Sequence, residues 1–221
     1  MRKDTSATNL IQNLREDYRA STLEIDTCKD DPLEQFEIWF EEALKAKILE
    51  PNAMTLATAT ADGIPSARIM LLKKYSEEGF VFFTNYESRK GQELLQNPRA
   101  SLVFCWLELQ RQIRIEGMVE KLSKKASKAY FHSRPKASQI GALVSNQSKI
   151  TKSDRSELEA KEVELKEKYK DTTQIPFPDN WGGFRVIPNN YEFWQGRTSR
   201  LHDRILYEKS GKNWSRVRLA P

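Results

Sequence analysis

Residues 54–74 have the sequence MTLATATADGIPSARIMLLKK, and this stretch sets the expected fold class. The residues follow a period of two on each side of Asp62-Gly63, a dipeptide that is typical of the tight turn between two antiparallel strands. The pattern therefore predicts a β-hairpin from residue 54 onwards.

Further short strands are predicted after this hairpin. They cover residues 80–84, 100–107, 112–120, 184–188, 191–194, 204–208 and 214–219. Turn signals separate many of them at intervals of about 8–12 residues, which favours an antiparallel sheet or barrel. A Rossmann fold is disfavoured because the chain has neither an alternating β-α-β series nor a glycine-rich phosphate loop.

Helices are predicted to flank these strands, which makes the expected fold class mainly β with flanking helices (α+β). The clearest begins after Asp31, with Pro32 in its first turn and Glu34 completing a capping-box pattern. Its expected core face consists of Leu33, Phe36, Phe40, Leu44 and Ile48. Other helices are predicted at residues 10–14, from about 88, and at 124–133, 135–144 and 155–170.

Composition limits the classes of function. The chain has 221 residues and a net charge of +5, which suits nucleic acid, an acidic membrane or phosphorylated small molecules. The first two are disfavoured because the cations form no single basic block. Cys28 and Cys105 lack metal-type spacing, so no zinc site is expected, and Cys105 is predicted to be buried within LVFCW. Without an export signal or a long apolar run, we expect a soluble, cytoplasmic protein.

Residues 191–204, YEFWQGRTSRLHDR, concentrate aromatic and cationic side chains. If the end of this stretch is extended, Arg200, His202 and Arg204 point to one face. Two guanidinium groups beside an imidazole suit a ligand that carries negative charge and a polar aromatic ring. The alternative is an edge strand with solvated cations.

Three other sets are candidates for binding an anion. Arg89 and Lys90 follow Ser88 at a predicted helix start, where their positive charges oppose the helix dipole. An anion held there by the backbone N–H groups would explain these cations. Arg68 and Lys73 end an apolar strand with opposite parity, so a regular strand would point them to opposite sides. Tyr130, Arg134 and Ser138 could surround a phosphate. For each set the alternative is ordinary surface charge or helix surface.

The stretch 191–204 resembles the signature of the pyridoxamine 5'-phosphate oxidase family. Matching blocks are RIMLLK at 68–73, FFTN at 82–85, SRK at 88–90, FHSRPKASQIGA at 131–142 and NWGGFRV at 180–186. The resemblance implies an FMN-binding split β-barrel and a homodimer with FMN at the subunit interface. It also implies a mobile segment at 1–20 and a single domain at 21–221 that includes the C-terminal dimerisation and substrate region.

The resemblance also implies a set of site residues. The FMN-binding set is Arg68, Ile69, Met70, Leu71, Leu72, Lys73, Phe83, Thr84, Arg89, Lys90, Gln112, Gln147, Ser148, Trp194 and Arg204. The substrate-binding set is Lys73, Tyr130, Arg134, Ser138, Arg200 and His202, with Arg15 and Tyr18 on the N-terminal segment. Arg200 and His202 are the expected catalytic pair, and no metal is expected.

The activity that follows from the resemblance is oxidation of pyridoxamine 5'-phosphate or pyridoxine 5'-phosphate to pyridoxal 5'-phosphate in vitamin B6 metabolism. A hydride would pass to FMN N5, and O2 would reoxidise the flavin to give H2O2. One alternative is a flavin- or pyridoxal-phosphate-binding protein of the same fold without turnover. Another is a nucleic-acid-binding domain, which only the charge supports.

Overall fold

The strands of the computed structural model, which describes residues 11, 14, 16–150 and 154–221, form an antiparallel split-barrel sheet. The strands are β1 (Ala53–Ala59), β2 (Pro65–Leu71), β3 (Lys74–Ser76), β4 (Gly79–Asn85), β5 (Arg99–Trp106), β6 (Arg111–Lys121), β7 (Trp181–Gln195), β8 (Asp203–Ser210) and β9 (Asn213–Leu219). Their order is β2-β1-β5-β6-β7-β4-β3, and β8 pairs with β7 and β9. The predicted fold class is confirmed.

Helices flank this sheet. They are α1 (Pro32–Lys45), α2 (Arg89–Gln96), α3 (Lys124–Ser133), α4 (Lys136–Val144) and α5 (Arg155–Lys168). Within the described ranges, no helix is both long and apolar enough to cross a bilayer. The predicted helix at 10–14 lies largely outside the described residues, and the assignment of 1–20 and 21–221 to a mobile segment and a single domain stays a prediction.

The predicted hairpin is confirmed as β1 and β2. Met54 pairs with Met70 and Ala59 with Pro65 in an antiparallel register. Gly63 in the turn has a φ of +88°, a backbone conformation that glycine adopts without steric cost. On the other side of β1, Leu56 pairs with Leu102 of β5, and both side chains are fully buried.

The chain divides into two compact units. One comprises the described residues up to Pro51 together with Cys105–Ile113 and Glu192–Pro221. Its core contains Trp39 of α1, whose ring meets Phe193 edge-on at 5.2 Å, while Phe193 in turn lies 5.6 Å from Tyr207. Arg111 lies over the same indole, with its guanidinium carbon 4.4 Å from the ring centre.

Helix α1 begins as predicted, because the Asp31 carboxylate accepts a hydrogen bond of 2.8 Å from the Leu33 N–H. Its predicted core face is wrong in part. Phe36 is buried, but Trp39 and Ala43 complete the buried stripe, and Leu44 is exposed. The buried stripe of α1 is the one that contains Trp39, because its large indole packs in the core of this unit.

The second unit comprises Asn52–Phe104 and Arg114–Tyr191. Its buried side chains include Phe82 of β4, Phe184 of β7, and Leu102 and Phe104 of β5. A separate cluster of Phe131, Ile140, Val144, Ile175 and Trp181 holds α3 and α4 together.

Two predictions from local pattern are wrong. Cys105 is exposed, because β5 alternates and the residues buried on its other face are Ala100, Leu102, Phe104 and Trp106. The two strands predicted at 184–188 and 191–194 are one strand, β7, which continues through the buried Pro188. Gly117 lies against Ile187 and Pro188, and a Cβ at residue 117 would collide with the Ile187 carbonyl.

Candidate functional site

A cavity of about 600 Å³ in the second unit collects many of the predicted residues. The end of β2, strand β4, the α3–α4 junction and the segment after α4 supply its walls. The predicted site residues that line it are Met70, Leu71, Lys73, Phe83, Thr84, Tyr130, Arg134, Ser138 and Gln147. Residues that the family resemblance implied therefore lie together on one cavity wall.

An aromatic stack forms one side of the cavity. Phe83 contacts both Tyr130, at a centroid distance of 3.7 Å, and Trp181, at 5.4 Å, and the three rings are nearly parallel. The guanidinium carbon of Arg134 lies 4.8 Å from the centre of the Trp181 ring. These planar contacts fix the ends of α3 and β4 against each other.

Arg134 is a partly buried cation with an unused donor. Within the described residues, its Nη1 atom is buried and has no hydrogen-bond partner. Burial lowers the pKa of the Arg134 guanidinium, although the neighbouring Tyr130 partly offsets this effect. A buried guanidinium donor in a cavity that also contains Lys73, Tyr130 and Ser138 is suited to bind an anion with several oxygen atoms.

The break between α3 and α4 positions this arginine. Pro135 ends the helical hydrogen bonding, and the Gln139 side chain donates to the backbone oxygen of Arg134 at 2.8 Å. Ser138 lies one turn into α4, on the cavity wall.

A cluster of cations surrounds the start of α2. Ser88 caps the helix and accepts a hydrogen bond from the Gly91 N–H. Lys90 is only 6% exposed, yet the Thr84 hydroxyl, at 3.3 Å, is its hydrogen-bond acceptor. Burial lowers the pKa of Lys90, and the positive charge of Arg68 lowers it further. A buried ammonium group whose described hydrogen-bond acceptor is a single hydroxyl is suited to bind an anion.

Glu93 lies at the centre of this cluster. Its carboxylate accepts hydrogen bonds from the hydroxyls of Thr58 (2.5 Å) and Ser66 (2.6 Å) and from Arg89 Nε (2.8 Å). Arg68 Nη2 lies 3.5 Å away. Burial by itself would raise the pKa of Glu93, but the hydrogen bonds and the charge of Arg68 outweigh it and lower the pKa to about 2.

Sequence reasoning missed Glu93, Thr58 and Ser66. The spacing of Arg89 and Glu93, four residues apart, is the signal that could have identified the carboxylate. Nothing local connects Thr58 and Ser66 with α2. Their register across the β1–β2 hairpin brings them together.

Other predicted FMN contacts in this unit differ in how exposed they are. Leu72 is buried, whereas Ile69 is 66% exposed, and Ser148 adopts a φ of +68° after α4. Gln147 accepts a hydrogen bond from the Thr84 hydroxyl at 3.2 Å. Through Thr84, therefore, Gln147 and Lys90 belong to one hydrogen-bonded chain.

The first unit contains the other predicted group, around His202. A cavity of about 800 Å³ is lined by Tyr18, Trp194, Arg197, Arg200 and His202, among others. The imidazole lies 4.6 Å from the Trp194 ring and 5.8 Å from the Tyr18 ring. Tyr18 also packs against Gly196, where any Cβ would collide with its ring.

The protonation state of His202 follows from its contacts. Its Nδ1 atom lies 3.1 Å from the backbone nitrogen of Arg197 and accepts that N–H. Burial lowers the pKa of the imidazole, and the charge of Arg200 adds to this, while Asp203 opposes it. The neutral ring therefore carries its proton on Nε2, which can donate to a ligand.

The predicted common face of Arg200, His202 and Arg204 is wrong. Residues Thr198–Arg200 form a 3₁₀ turn in which Ser199 and Arg200 both have positive φ, so the run is not extended. Arg204 lies in β8 and donates to Glu192 at 2.8 Å. The hydrogen bond from Arg204 to Glu192 raises the pKa of the arginine. The turn leaves Arg200 and His202 on the cavity wall without Arg204.

Two further predictions find less support. Gln112 is half-buried in β6 and lines neither of these two cavities. Arg15 lies outside the described residues. Apart from Gln112, Arg15 and Arg204, the predicted residues lie in two groups, one in each unit: a cation-rich group and a group of aromatic rings with Arg200 and His202.

Comparison with known proteins identifies relatives along nearly the whole chain. A family model described as pyridoxamine 5'-phosphate oxidase matches residues 40–168. A second model, the pyridoxine 5'-phosphate oxidase C-terminal dimerisation region, matches residues 181–221. The chain is 56% identical over 215 residues to a pyridoxine/pyridoxamine 5'-phosphate oxidase of Trichormus variabilis, covering 96% of this chain and 98% of the relative. The identity to that of Bordetella petrii is 54% over 212 residues, covering 96% and 99%.

Solved structures of similar fold include PhzG from Burkholderia lata in complex with tetrahydrophenazine-1-carboxylic acid. Its TM-score is 0.85 at 31% identity, covering 93% of this chain and 100% of PhzG. A pyridoxamine 5'-phosphate oxidase-related, FMN binding protein of Nostoc punctiforme has a TM-score of 0.67 at 17% identity, covering 86% and 98%. The second likeness shows the fold alone.

Proposed function

Because the chain belongs to the pyridoxine/pyridoxamine 5'-phosphate oxidase family, we propose that it uses FMN to oxidise pyridoxamine 5'-phosphate or pyridoxine 5'-phosphate to pyridoxal 5'-phosphate. Membership makes the chain an oxidoreductase, a flavoprotein and a homodimer. The proposal also includes FMN as the flavin, its location at the subunit interface, these substrates, O2 as the oxidant and a role in vitamin B6 metabolism.

The observation that carries the proposal is the unpaired, buried Nη1 of Arg134 in its cavity. A phosphate monoester offers several acceptor oxygens and a double negative charge, and it would satisfy this donor together with Lys73, Tyr130 and Ser138. We assign these four residues to the phosphate of the substrate. The ring stack beneath Arg134 keeps its guanidinium directed along the cavity wall.

The residues around α2 fit the phosphate of FMN. Arg68, Arg89 and Lys90 carry three positive charges around one carboxylate, which leaves a net charge of about +2 for a phosphate dianion. Buried Lys90 would gain the strong acceptor that it now lacks. The backbone of residues 68–73 and the polar groups of Thr84, Gln147 and Ser148 would bind the rest of the cofactor, with Gln112, Trp194 and Arg204 as further contacts.

When bound, FMN supplies the acceptor for a hydride from the exocyclic 4' carbon of the substrate, and O2 restores the oxidised cofactor with formation of H2O2. The protein supplies binding and orientation. The Arg200 guanidinium would cover the pyridine ring, and His202 Nε2–H would donate to a polar ring substituent. The Arg197 N–H keeps His202 in the tautomer that this donation requires.

The family resemblance leaves two alternatives. One is a flavin- or pyridoxal-phosphate-binding protein that does not turn over. The other follows from the similarity to PhzG, which was solved with a carboxylated phenazine. The cation-rich cavity favours a phosphate ester over a single carboxylate, because Lys73 and Arg134 together carry two charges.

The test is an absorption spectrum of the purified protein, followed in air after addition of pyridoxamine 5'-phosphate. The proposal predicts a bound-flavin spectrum with formation of pyridoxal 5'-phosphate and H2O2. A flavin spectrum without turnover would support the binding protein. Oxidation of a reduced phenazine carboxylic acid without oxidation of pyridoxamine 5'-phosphate would support the PhzG-like alternative, and failure to take up FMN would refute the assignment.

A further inference from the structure

We infer that Glu93 is a positioning residue of the FMN phosphate site: its carboxylate orients the guanidinium groups of Arg68 and Arg89 and thereby sets the affinity of the protein for the phosphate of FMN. This inference rests on the proposed function, because it takes FMN as the ligand of this cluster. Glu93 would not touch the cofactor. It would act through the two arginines.

The geometry around Glu93 shows how a carboxylate can direct a guanidinium through intermediates. An ionised carboxylate only accepts hydrogen bonds, so the hydroxyls of Thr58 and Ser66 must both donate to it. The oxygen atoms of the same hydroxyls then face Arg68 as acceptors. Arg68 donates to Thr58 from Nη1 and to Ser66 from Nη2, each at 2.5 Å.

The direction of these hydrogen bonds depends on the charge of Glu93. Thr58 and Ser66 lie 3.3 Å apart, close enough for one to donate to the other. With the carboxylate ionised, neither has a proton to spare for that contact, and both oxygens stay available to Arg68. The carboxylate thus fixes two hydroxyl rotors and, through them, both terminal nitrogens of one guanidinium.

The second arginine is held directly. Arg89 approaches Glu93 Oε1 with its Nε atom at 2.8 Å, one helical turn away. That contact does not use the two terminal nitrogens of Arg89, which are the donors suited to a phosphate. Although the Arg89 side chain is 58% exposed, its inner end is anchored on a carboxylate that is 4% exposed.

Glu93 also limits the repulsion between the cations. Buried Lys90 is destabilised as a cation by burial and by Arg68, while the charge of Glu93 supports it. Loss of this carboxylate would leave three positive charges with no compensation in the absence of a ligand. Pure Coulomb attraction would then predict tighter binding of phosphate, whereas loss of orientation predicts weaker binding.

Orientation should dominate, because the carboxylate holds donors rather than occupying the ligand's place. In E93Q the amide has one acceptor oxygen and a donor NH2 group, so it cannot accept from Thr58, Ser66 and Arg89 as a carboxylate does. Thr58 and Ser66 share the oxygen Oε2, so either the amide oxygen takes that position and its NH2 group opposes the Arg89 Nε–H, or the amide turns and both hydroxyls lose their acceptor. We expect the Kd for FMN to rise by about tenfold or more, the effect of one charge-assisted hydrogen bond.

The experiment compares FMN with riboflavin, which lacks the phosphate, by quenching of flavin fluorescence on the full-length protein. E93Q should raise the Kd for FMN and leave that for riboflavin unchanged, and kcat at saturating FMN should stay close to that of the parent. E87Q is the matched control, because it removes the same charge from an exposed position just before α2. E93D, which retains the charge, should recover part of the affinity.

Equal changes in the two Kd values would refute the inference, because they would indicate a general structural role. Tighter binding of FMN by E93Q, or an effect of E87Q as large as that of E93Q, would also refute it. If E93Q does not fold, S66A takes its place and should weaken FMN selectively but by a smaller factor. If the parent protein does not bind FMN, the proposed function itself is overturned. If the parent and E93Q bind FMN equally well, only this inference is overturned.

Discussion

Replacing Arg134 by methionine separates the binding of the substrate phosphate from the rest of catalysis. Methionine is apolar and of comparable length, so it fills the space over Trp181 without the charge or the donors. A hydrogen bond to a charged group contributes about 1.5–3 kcal/mol. The structure places one such unpaired donor in the cavity, so kcat/KM for pyridoxamine 5'-phosphate should fall about 10- to 150-fold.

The same substitution should hardly change the stability of the unliganded protein. It removes the cation–π contact with Trp181, which contributes about 0.5–2 kcal/mol. It also removes a buried donor without a partner, whose cost is about 1–3 kcal/mol. These effects oppose each other, and their mid-range values differ by less than about 1 kcal/mol, so Tm should shift by less than about 4 °C for a chain of this size.

The assay compares pyridoxamine 5'-phosphate with pyridoxamine, which has no phosphate, at saturating FMN. R134M should lower kcat/KM for the phosphorylated substrate and leave that for pyridoxamine nearly unchanged. K128M removes an equal charge from an exposed position of α3, the helix that precedes Arg134, and should change neither value. A fall of equal size for both substrates, or an equal effect of K128M, would refute the assignment of Arg134 to the phosphate.

Three further predictions concern groups outside that cavity. Because the pKa of His202 lies below its usual 6.5, kcat/KM should be constant above that pH and fall at lower pH as Nδ1 gains a proton. H202Q should abolish this fall at low pH, and a fall that persists in H202Q would exclude His202 as its source. The pKa of Glu93 falls from 4.5 to about 2, so its stabilisation is complete above pH 4.5 and is lost as pH falls towards 2, by about 3 kcal/mol. Acid unfolding of E93Q should show a smaller loss over this range, and parallel curves for the two proteins would contradict the pKa shift. Y207F loses the 2.7 Å hydrogen bond to the Lys29 carbonyl and should lower Tm by about 2–4 °C without changing kcat, whereas an unchanged Tm would mean that this bond contributes nothing.

Much of the fold was predictable because its signals are local. The Asp62-Gly63 turn and the period of two on each side fix the β1–β2 hairpin. Pro135 separates α3 from α4, and α3 has the predicted bounds of Lys124–Ser133. In these segments the residues that form an element also carry the information about where it ends.

Strand β7 was not predictable in this way. Ile187-Pro188-Asn189-Asn190 has the composition of a turn, and a proline inside a strand normally argues against its continuation. What makes room for this backbone is Gly117, which lies about 70 positions away in the sequence. Cys105 shows the same limit, because the apolar run around it does not reveal which face of β5 is covered.

The candidate site shows a similar division. Tyr130 and Arg134 are one helical turn apart and Ser138 follows the Pro135 break, so their closeness in sequence was enough to suggest one group. The mutual placement of Arg200 and Arg204 depends on a turn with two left-handed residues, Ser199 and Arg200, which neither residue type favours. Glu93 was overlooked because two of its three hydrogen-bond donors, Thr58 and Ser66, lie on the β1–β2 hairpin and not on its own helix.

Binding of an anion at each site would explain why the cation-rich cavity and the α2 cluster contain so many poorly compensated charges. Glu93 neutralises only part of the charge of Arg68, Arg89 and Lys90, and no carboxylate among the described residues lies within ion-pair distance of Arg134. Burial of such groups costs free energy until an anion binds, and a ligand present at about 100 times its Kd returns about 2.7 kcal/mol to the folded state. The residues that we assign to phosphate would therefore also make the stability of the protein depend on phosphate binding. The charges that would recognise the cofactor and the substrate therefore lower the free energy of unfolding of the unliganded protein.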